Sequence, residues 1–287
     1  MGYTTDTAFA KQYDDVCRII VQQMDSRFRD KTDLRRFNRG EELFVDYVGK
    51  SVPEARLTLN EPITPKNPPH SRIRITTAPY DDNVYISQQE MSRMVIEPRS
   101  KYMDMLRYGF FRKQDKIIAE AAIGNMYTGK TGTTVVPLPS GQKIANGGVG
   151  LTADKLKDTL KIFNGNDVPP FWKKVFAIGA RQLRDMQDEP EFTDADYNVL
   201  RPLQNGEAVD FLGFTFVMFN DLVLASTIRS CFAWAQPGIA LAICNDITDK
   251  VTQDTTRRGH PWQLYMEMDL GATRTENELV VQVDCKE

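Results

Sequence analysis

Between Lys101 and Ile123 the chain spaces its apolar residues as a helix does, and shortly afterwards it becomes a sequence that cannot be helical. Met103, Leu106 and Phe110 form one stripe, which Ile117, Ala121 and Ile123 resume after a charged run from Arg112 to Lys116. Pro98 and Ser100 are start signals, since proline suits a first helical turn and serine caps one. Gly124 and Gly129 are stop signals, because glycine takes the left-handed conformation that ends a helix. Lys130 would then stand near the negative end of the helix dipole. Beyond it, Pro137, Pro139 and Gly141 forbid a helix and leave a turn followed by strand or loop.

That order decides a motif lying across the boundary. Gly124 to Thr131 reads GNMYTGKT and satisfies the phosphate-binding pattern G-x-x-x-x-G-K-S/T at every fixed position. A phosphate-binding loop needs a strand before it and a helix after it, whose N-terminal amides meet the phosphates. Here a helix precedes the match and no helix follows, so the residues read as structural and a nucleotide-binding enzyme is the lesser alternative.

Composition removes other function classes. The 287 residues suffice for one large domain or two ordinary ones, and a net charge of −3 gives no reason to expect a dedicated nucleic-acid binder. The longest apolar run, Cys231 to Cys244, is interrupted by Gln236, Pro237 and Gly238, so no membrane span is expected. The first residues lack the charged-then-apolar order of an export signal, which makes the cytosol the expected compartment. Cys17, Cys231, Cys244 and Cys285 show no C-x-x-C spacing and read as reduced, partly buried small hydrophobes. His70 and His260 read as solvated loop histidines, with no nucleophile or metal-ligand pattern around them. The carboxylates Asp185, Asp188, Glu189, Glu191, Asp194 and Asp196 lack calcium-loop spacing and read as a solvated acidic loop, Thr193 or Asp194 capping a helix over 195–200. No catalytic, cofactor-binding or metal residue is assigned, and no cofactor is implied.

The remaining segments read as follows. Phe9, Tyr13, Val16, Ile20, Met24 and Phe28 make an amphipathic helical stripe over 5–28, capped by Asp6 or Thr7. A mixed charge run follows, with Arg27, Arg29, Lys31, Arg35, Arg36 and Arg39 set against Asp25, Asp30 and Asp33. Strands are expected at 43–48, 56–59, 72–76 and 84–86, interrupted by Pro53, Pro62, Pro65, Pro68 and Pro69. Residues 41–90 thus form a long hairpin with a proline-rich tip and little apolar surface of its own. Ordering such a segment costs about 1–2 kcal/mol per residue, which suits a flap lying on a neighbouring subunit. A helix over 153–163, capped by Thr152, ends at Asn164-Gly-Asn-Asp. A strand at 171–178 turns at Gly179 into a helix at 181–186, and 210–219 is a further strand. The 229–234 and 239–244 runs are buried strand or helix, and two closing strands, 263–270 and 278–283, join through Gly271-Ala-Thr-Arg.

Ile96-Glu-Pro-Arg-Ser-Lys-Tyr followed by Arg112, Asp115, Ile118, Ala121, Gly124 and Thr128-Gly129 resembles the long spine helix of tailed-bacteriophage major capsid proteins. Gly150-Leu-Thr with Lys155-Leu, the Phe211-Leu-Gly-Phe-Thr-Phe segment, and Gly271-Ala-Thr-Arg before Val280-Val-Gln-Val agree in order. The resemblance runs from about residue 40 to the end and implies an α+β, Hong Kong 97-like coat fold. It implies an N-terminal arm at 1–40, an extended β-hairpin loop at 41–90 lying across an adjacent subunit, a peripheral domain at 91–165 and 246–287 with the spine helix, and an axial domain at 166–245. The implied function is a non-enzymatic major capsid protein that self-assembles into pentamers and hexamers of an icosahedral head. Implied partners are copies of itself, a portal protein, scaffolding or decoration proteins, and packaged DNA through non-specific contact, without a membrane. Its place would be the virion, with assembly in the host cytoplasm. An encapsulin-like compartment shell shares this fold and is the other alternative.

Overall fold

The computed structural model describes residues 22–53, 55, 65, 67–87, 99–188 and 210–287. The expected strand at 56–59, most of the 5–28 stripe, Pro98, and the acidic residues beyond Asp188 lie outside the described residues. Helix α1 (Arg99–Ile123) has 25 residues, about 37 Å of rise. It buries Leu106, Phe110, Gln114, Ile118 and Ala122, one residue per turn, together with Asp115 and Ala119. The second half of the expected stripe is therefore rotated, with Ile118 and Ala122 inward and Ile117 and Ile123 only partly covered.

Strands are β1 (Asp33–Arg36), β2 (Glu42–Val48), β3 (His70–Thr76), β4 (Ala78–Ile86), β5 (Met126–Thr128), β6 (Thr134–Val136), β7 (Lys143–Ile144) and β8 (Lys174–Ile178). Then follow β9 (Asp210–Phe211), β10 (Phe214–Met218), β11 (Leu224–Ala225), β12 (Ile228–Ala235), β13 (Ile239–Gln253), β14 (Trp262–Arg274) and β15 (Val280–Lys286). They make three sheets. The first has the order β1-β13-β14-β4 and carries α1 across it; the second has the order β2-β3-β5-β6. The third has the order β7-β15-β12-β8-β10-β9, with β11 folded back on β12.

The apolar runs at 229–234 and 239–244, left open between strand and helix, are strands β12 and β13. Every residue of β8 is buried, as in a strand covered on both faces. Helix α3 (Ala180–Asp188) follows β8, whose parallel neighbour in the sheet is β10. Helix α2 (Ala153–Gly165) packs against β15 and is capped as expected, with the Lys155 amide donating to the Thr152 hydroxyl at 3.4 Å.

Several expectations are corrected. The 210–219 strand is two short strands around a tight turn, where Leu212 and Gly213 both have positive φ. Phe171 lies ahead of β8 and is 81% exposed. Gly271-Ala-Thr-Arg does not join the closing strands but forms the end of β14. A Cβ at Gly271 would come within 2.1 Å of the Thr76 carbonyl oxygen, so glycine permits the chain segments to touch there. The closing strands also part company: β14 lies in the α1 sheet and β15 pairs with β12. Residues 41–90 are not one hairpin, because β4 leaves it to pair with β14.

Candidate assembly surfaces

Residues 22–28 are not helical, and the reason sits on α1. The buried Asp115 carboxylate accepts from the Ser26 hydroxyl at 2.6 Å, the Arg27 amide at 2.9 Å, the Phe28 amide at 3.3 Å and the Gln23 side chain. Helical geometry would withdraw those amides from an acceptor that the core cannot leave unpaired. Phe28 is fully buried and meets Phe219, Phe232 and Trp234 edge-on at 5.0, 5.9 and 5.5 Å. The Trp234 indole donates to the Lys31 carbonyl at 2.9 Å. Arg29 forks onto Asp246, 2.9 Å on one arm, and that hydrogen bond holds the Asp246 carboxyl below its ordinary range. β1 then runs parallel to β13. The root of the N-terminal segment is thus pinned to helix and to two sheets, whereas Met24, expected on its apolar stripe, is exposed.

The far end of α1 explains the GNMYTGKT match. Gly124 continues the helical bonding, its amide donating to the Glu120 carbonyl at 2.9 Å; it is not among the left-handed glycines, so that expectation is corrected. Met126 to Thr128 form β5, and the chain turns through Gly129 (φ +97°) and Gly132 (φ +64°) into β6. Lys130 stands in this hairpin turn and not in the last turn of the helix. The cation at the helix end is instead Arg274, fully buried, which donates to the Ala122 and Gly124 carbonyls at 3.0 and 2.7 Å. It also reaches the Val136 carbonyl at 3.4 Å and the Asn277 side chain at 3.0 Å. Burial without a carboxylate lowers its pKa to about 10, so it remains charged at neutral pH and complements the helix dipole. Sequence reading placed Arg274 in a motif without seeing its partner.

Lys155 does similar work elsewhere. Its buried ammonium meets the carbonyls of Asn146, Val149, Gly150 and Asp284 at 2.8–3.1 Å, tying the loop before α2 to β15.

The β2–β3 stem shows two different faces. Leu43, Val45, Tyr47, Ile73 and Ile75 turn inward, whereas Glu42, Phe44, Asp46, Arg72 and Arg74 alternate outward. Arg72 forks onto Asp46 and lies over Phe44, and Arg74 pairs with Glu42 and lies over Tyr127. Where β2 ends and the connection to β3 begins, a cleft of about 660 Å³ is lined by Tyr47, Lys50, Asp167, Trp172, Glu276 and Glu278 among others. Burial first, and Glu278 second, raise the Glu276 carboxyl.

The remaining expectations on reactive residues fall apart spatially. His70 opens β3 and is exposed, so it is a strand residue; His260 is in an exposed loop with φ +42°. Cys231 and Cys285 are buried free thiols on adjoining strands; the neighbouring thiol and burial push Cys231 well up. Of the acidic run, Asp185 accepts from the Leu151 amide at 3.3 Å and Asp188 pairs with Arg184 at 3.6 Å. Among the described residues no group of three or more His, Cys, Asp or Glu could hold a metal, and no helix is long and apolar enough to cross a membrane.

A long helix across a sheet that is antiparallel except for β1, a second sheet built on the β2–β3 pair and a third, mixed sheet define the α+β, Hong Kong 97-like capsid class. The phage capsid protein family model matches residues 5–287, and the chain belongs to that family: it is a capsid shell subunit. The capsid structure of cyanophage P-SCSP1u is 16% identical with a TM-score of 0.74, covering 100% of this chain and 96% of that one. The capsid subunit of cyanophage Pam1 is 14% identical with a TM-score of 0.73, covering 98% and 97%. The capsid of a native GTA particle is 13% identical with a TM-score of 0.66, covering 98% and 96%. No curated protein sequence matches.

Proposed function

We propose that this chain is the major subunit of an icosahedral head, closing into pentamers and hexamers through head-to-tail contacts and performing no catalysis. The observation that carries this reading is the match to capsid subunits over almost the full length of both chains. Shells gain strength from repeated contacts, each needing about 1,000 Å² or more to be specific. The exposed stem face, the cleft beside the end of β2 and the exposed Phe171 are surfaces on which such contacts can form.

The proposed partition takes 1–40 as the arm and the 41–90 segment as the extended loop, with its connection between β2 and β3 lying over an adjacent subunit. Residues 91–165 and 246–287, with α1, make the peripheral domain, and 166–245 the axial domain. The pairing of β15 with β12 favours placing β15 with the axial side. Portal, scaffolding or decoration proteins, non-specific contact with packaged DNA, and assembly in the host cytoplasm complete the reading. Electron microscopy of the expressed chain tests it. Uniform shells, rings or tubes are expected, and a strictly monomeric or dimeric species at high concentration would overturn it.

A further inference from the structure

We propose that the cleft between the end of α2 and strand β7 binds a linear aliphatic polyamine, a ligand whose ammonium groups are joined by methylene chains. The cleft measures about 610 Å³, a volume suited to a small molecule. Three anchored elements wall it: the second half of α2, the short 3-10 turn Ser140–Gln142 with β7, and the turn at Asn277 and Glu278. β15 pairs with β7 and packs against α2, so one strand backs two of these walls. The third is tied to the helix end by the Asn166 side chain, which donates to the Glu278 carbonyl at 3.2 Å. The cavity is therefore built by the fold and does not wait for a ligand.

The polar groups of the cleft call for a cationic donor. Gln142 is only 8% exposed, and its Oε1 has no partner among the described residues. Leaving a buried oxygen unpaired is costly, and rotation about its broad terminal torsion lets it meet a donor in the cleft. α2 ends here with no basic residue in its last turn, and the Gly165 carbonyl accepts from no donor among the described residues. The negative end of the helix dipole thus adds to the attraction for a cation. Asp158 and Glu278 outnumber Lys161, the one basic residue of the lining, and Pro139, Ile144 and Ile162 offer methylenes an apolar wall. At Asn166, Asn277 and Glu278 this cleft meets the one beside the end of β2, where Asp167 and Glu276 stand against Lys50. Burial and then Glu278 raise the Glu276 carboxyl, a repulsion that a second ammonium would relieve. Carboxylates in both clefts and an apolar wall match a flexible chain carrying more than one ammonium. A lone metal ion fits less well, because no three carboxylates, thiols or imidazoles gather among the described residues.

Titration calorimetry of free subunits with spermidine tests the site apart from the shell-forming reading. Saturable binding at one site is expected, weakening as salt rises, whereas hexanediol, which has the chain without the charge, gives no heat. Asp158→Asn combined with Glu278→Gln changes only exposed side chains and is expected to weaken binding at least about tenfold. Gln142→Leu leaves the net charge unaltered and is expected to weaken it at least about threefold by removing the buried acceptor. Asp249→Asn, on β13 and outside both clefts, should bind as the parent does. Absence of saturable binding would overturn the proposal, as would equal affinity in the parent and the double variant, which would mark diffuse attraction to surface carboxylates. Loss of spermidine binding in assembled shells, together with a fall in shell yield for the double variant, would assign the cleft to a neighbouring subunit's cation and overturn it too. If Gln142→Leu loses its fold, the double variant decides.

Discussion

The Arg274 guanidinium sits 2.7 Å from the Gly124 carbonyl, at the end of the spine helix, with no carboxylate paired to it among the described residues. A buried cation is satisfied here by carbonyls and by the helix dipole, so its removal leaves those carbonyls without a donor.

Arg274→Met is expected to lower the unfolding free energy of the free subunit by roughly 3 kcal/mol, read from denaturant midpoints. Because burial depresses this base, its stability term is present above its unfolded value and lost as pH falls through the folded value of about 10. Below that window the cost is constant, so the loss caused by the substitution should not vary between pH 6 and 8, roughly two units or more under the folded value.

Asp115→Ala should release residues 23–28 and cost about 3–5 kcal/mol, since several donors, two of them backbone amides, lose one buried acceptor. Phe28→Ala should cost about 3–5 kcal/mol through the cavity it leaves beside Trp234. Thermal unfolding and limited proteolysis at 22–28 check both.

Gln114 occupies the inward stripe of α1, and neither atom of its side-chain amide has a partner among the described residues. Gln114→Leu keeps about the same volume without the polar burden and should raise stability by about 1–3 kcal/mol. A lower unfolding midpoint would show that the amide is needed.

Glu276 gives the opposite acid response from Asp246. Its raised pKa means that protonation stabilises the fold: this term is present below 4.5 and lost as pH rises through the folded value. Glu276→Gln should therefore be the more stable chain at pH 7 and converge with the parent below 4.5. Asp246 is lowered, so its contribution is present above 3.8 and is lost as pH falls through its folded value. Thermal midpoints across pH distinguish the two groups.

The turn inside GNMYTGKT should respond to shape and not to charge. Gly132→Ala is strained by φ +64° and by a Cβ placed 2.6 Å from the Arg74 Cβ, a cost of about 1–3 kcal/mol. Lys130→Ala should change stability by less than about 0.5 kcal/mol, and calorimetry with magnesium and ATP should give no binding heat.

How far the sequence could be read follows from range. The α1 period, the Thr152 cap and the β2–β3 alternation depend on neighbours a few residues apart, and the chain adopts them as read. The same periodicity misreads 22–28, because an acceptor on α1 outbids the local helix. It could not separate strand from helix at β12 and β13, whose apolar residues face neighbours on both sides and so carry no alternation. Nor could it give the candidate surfaces, since Phe44, Arg74, Tyr127 and Val135 become one row only when β2, β3, β5 and β6 align.

By itself the sequence determined where the spine helix ends, that a turn follows it where a nucleotide site would need a helix, and through its motif order the capsid resemblance. Tertiary structure alone decided that Arg274 closes that helix, that Asp115 straightens the segment before it, and that β15 leaves β14 for another sheet. The physical reason is desolvation: a buried carboxylate, guanidinium or carbonyl must find a partner wherever the chain brings one, and no spacing along the sequence records which partner that will be.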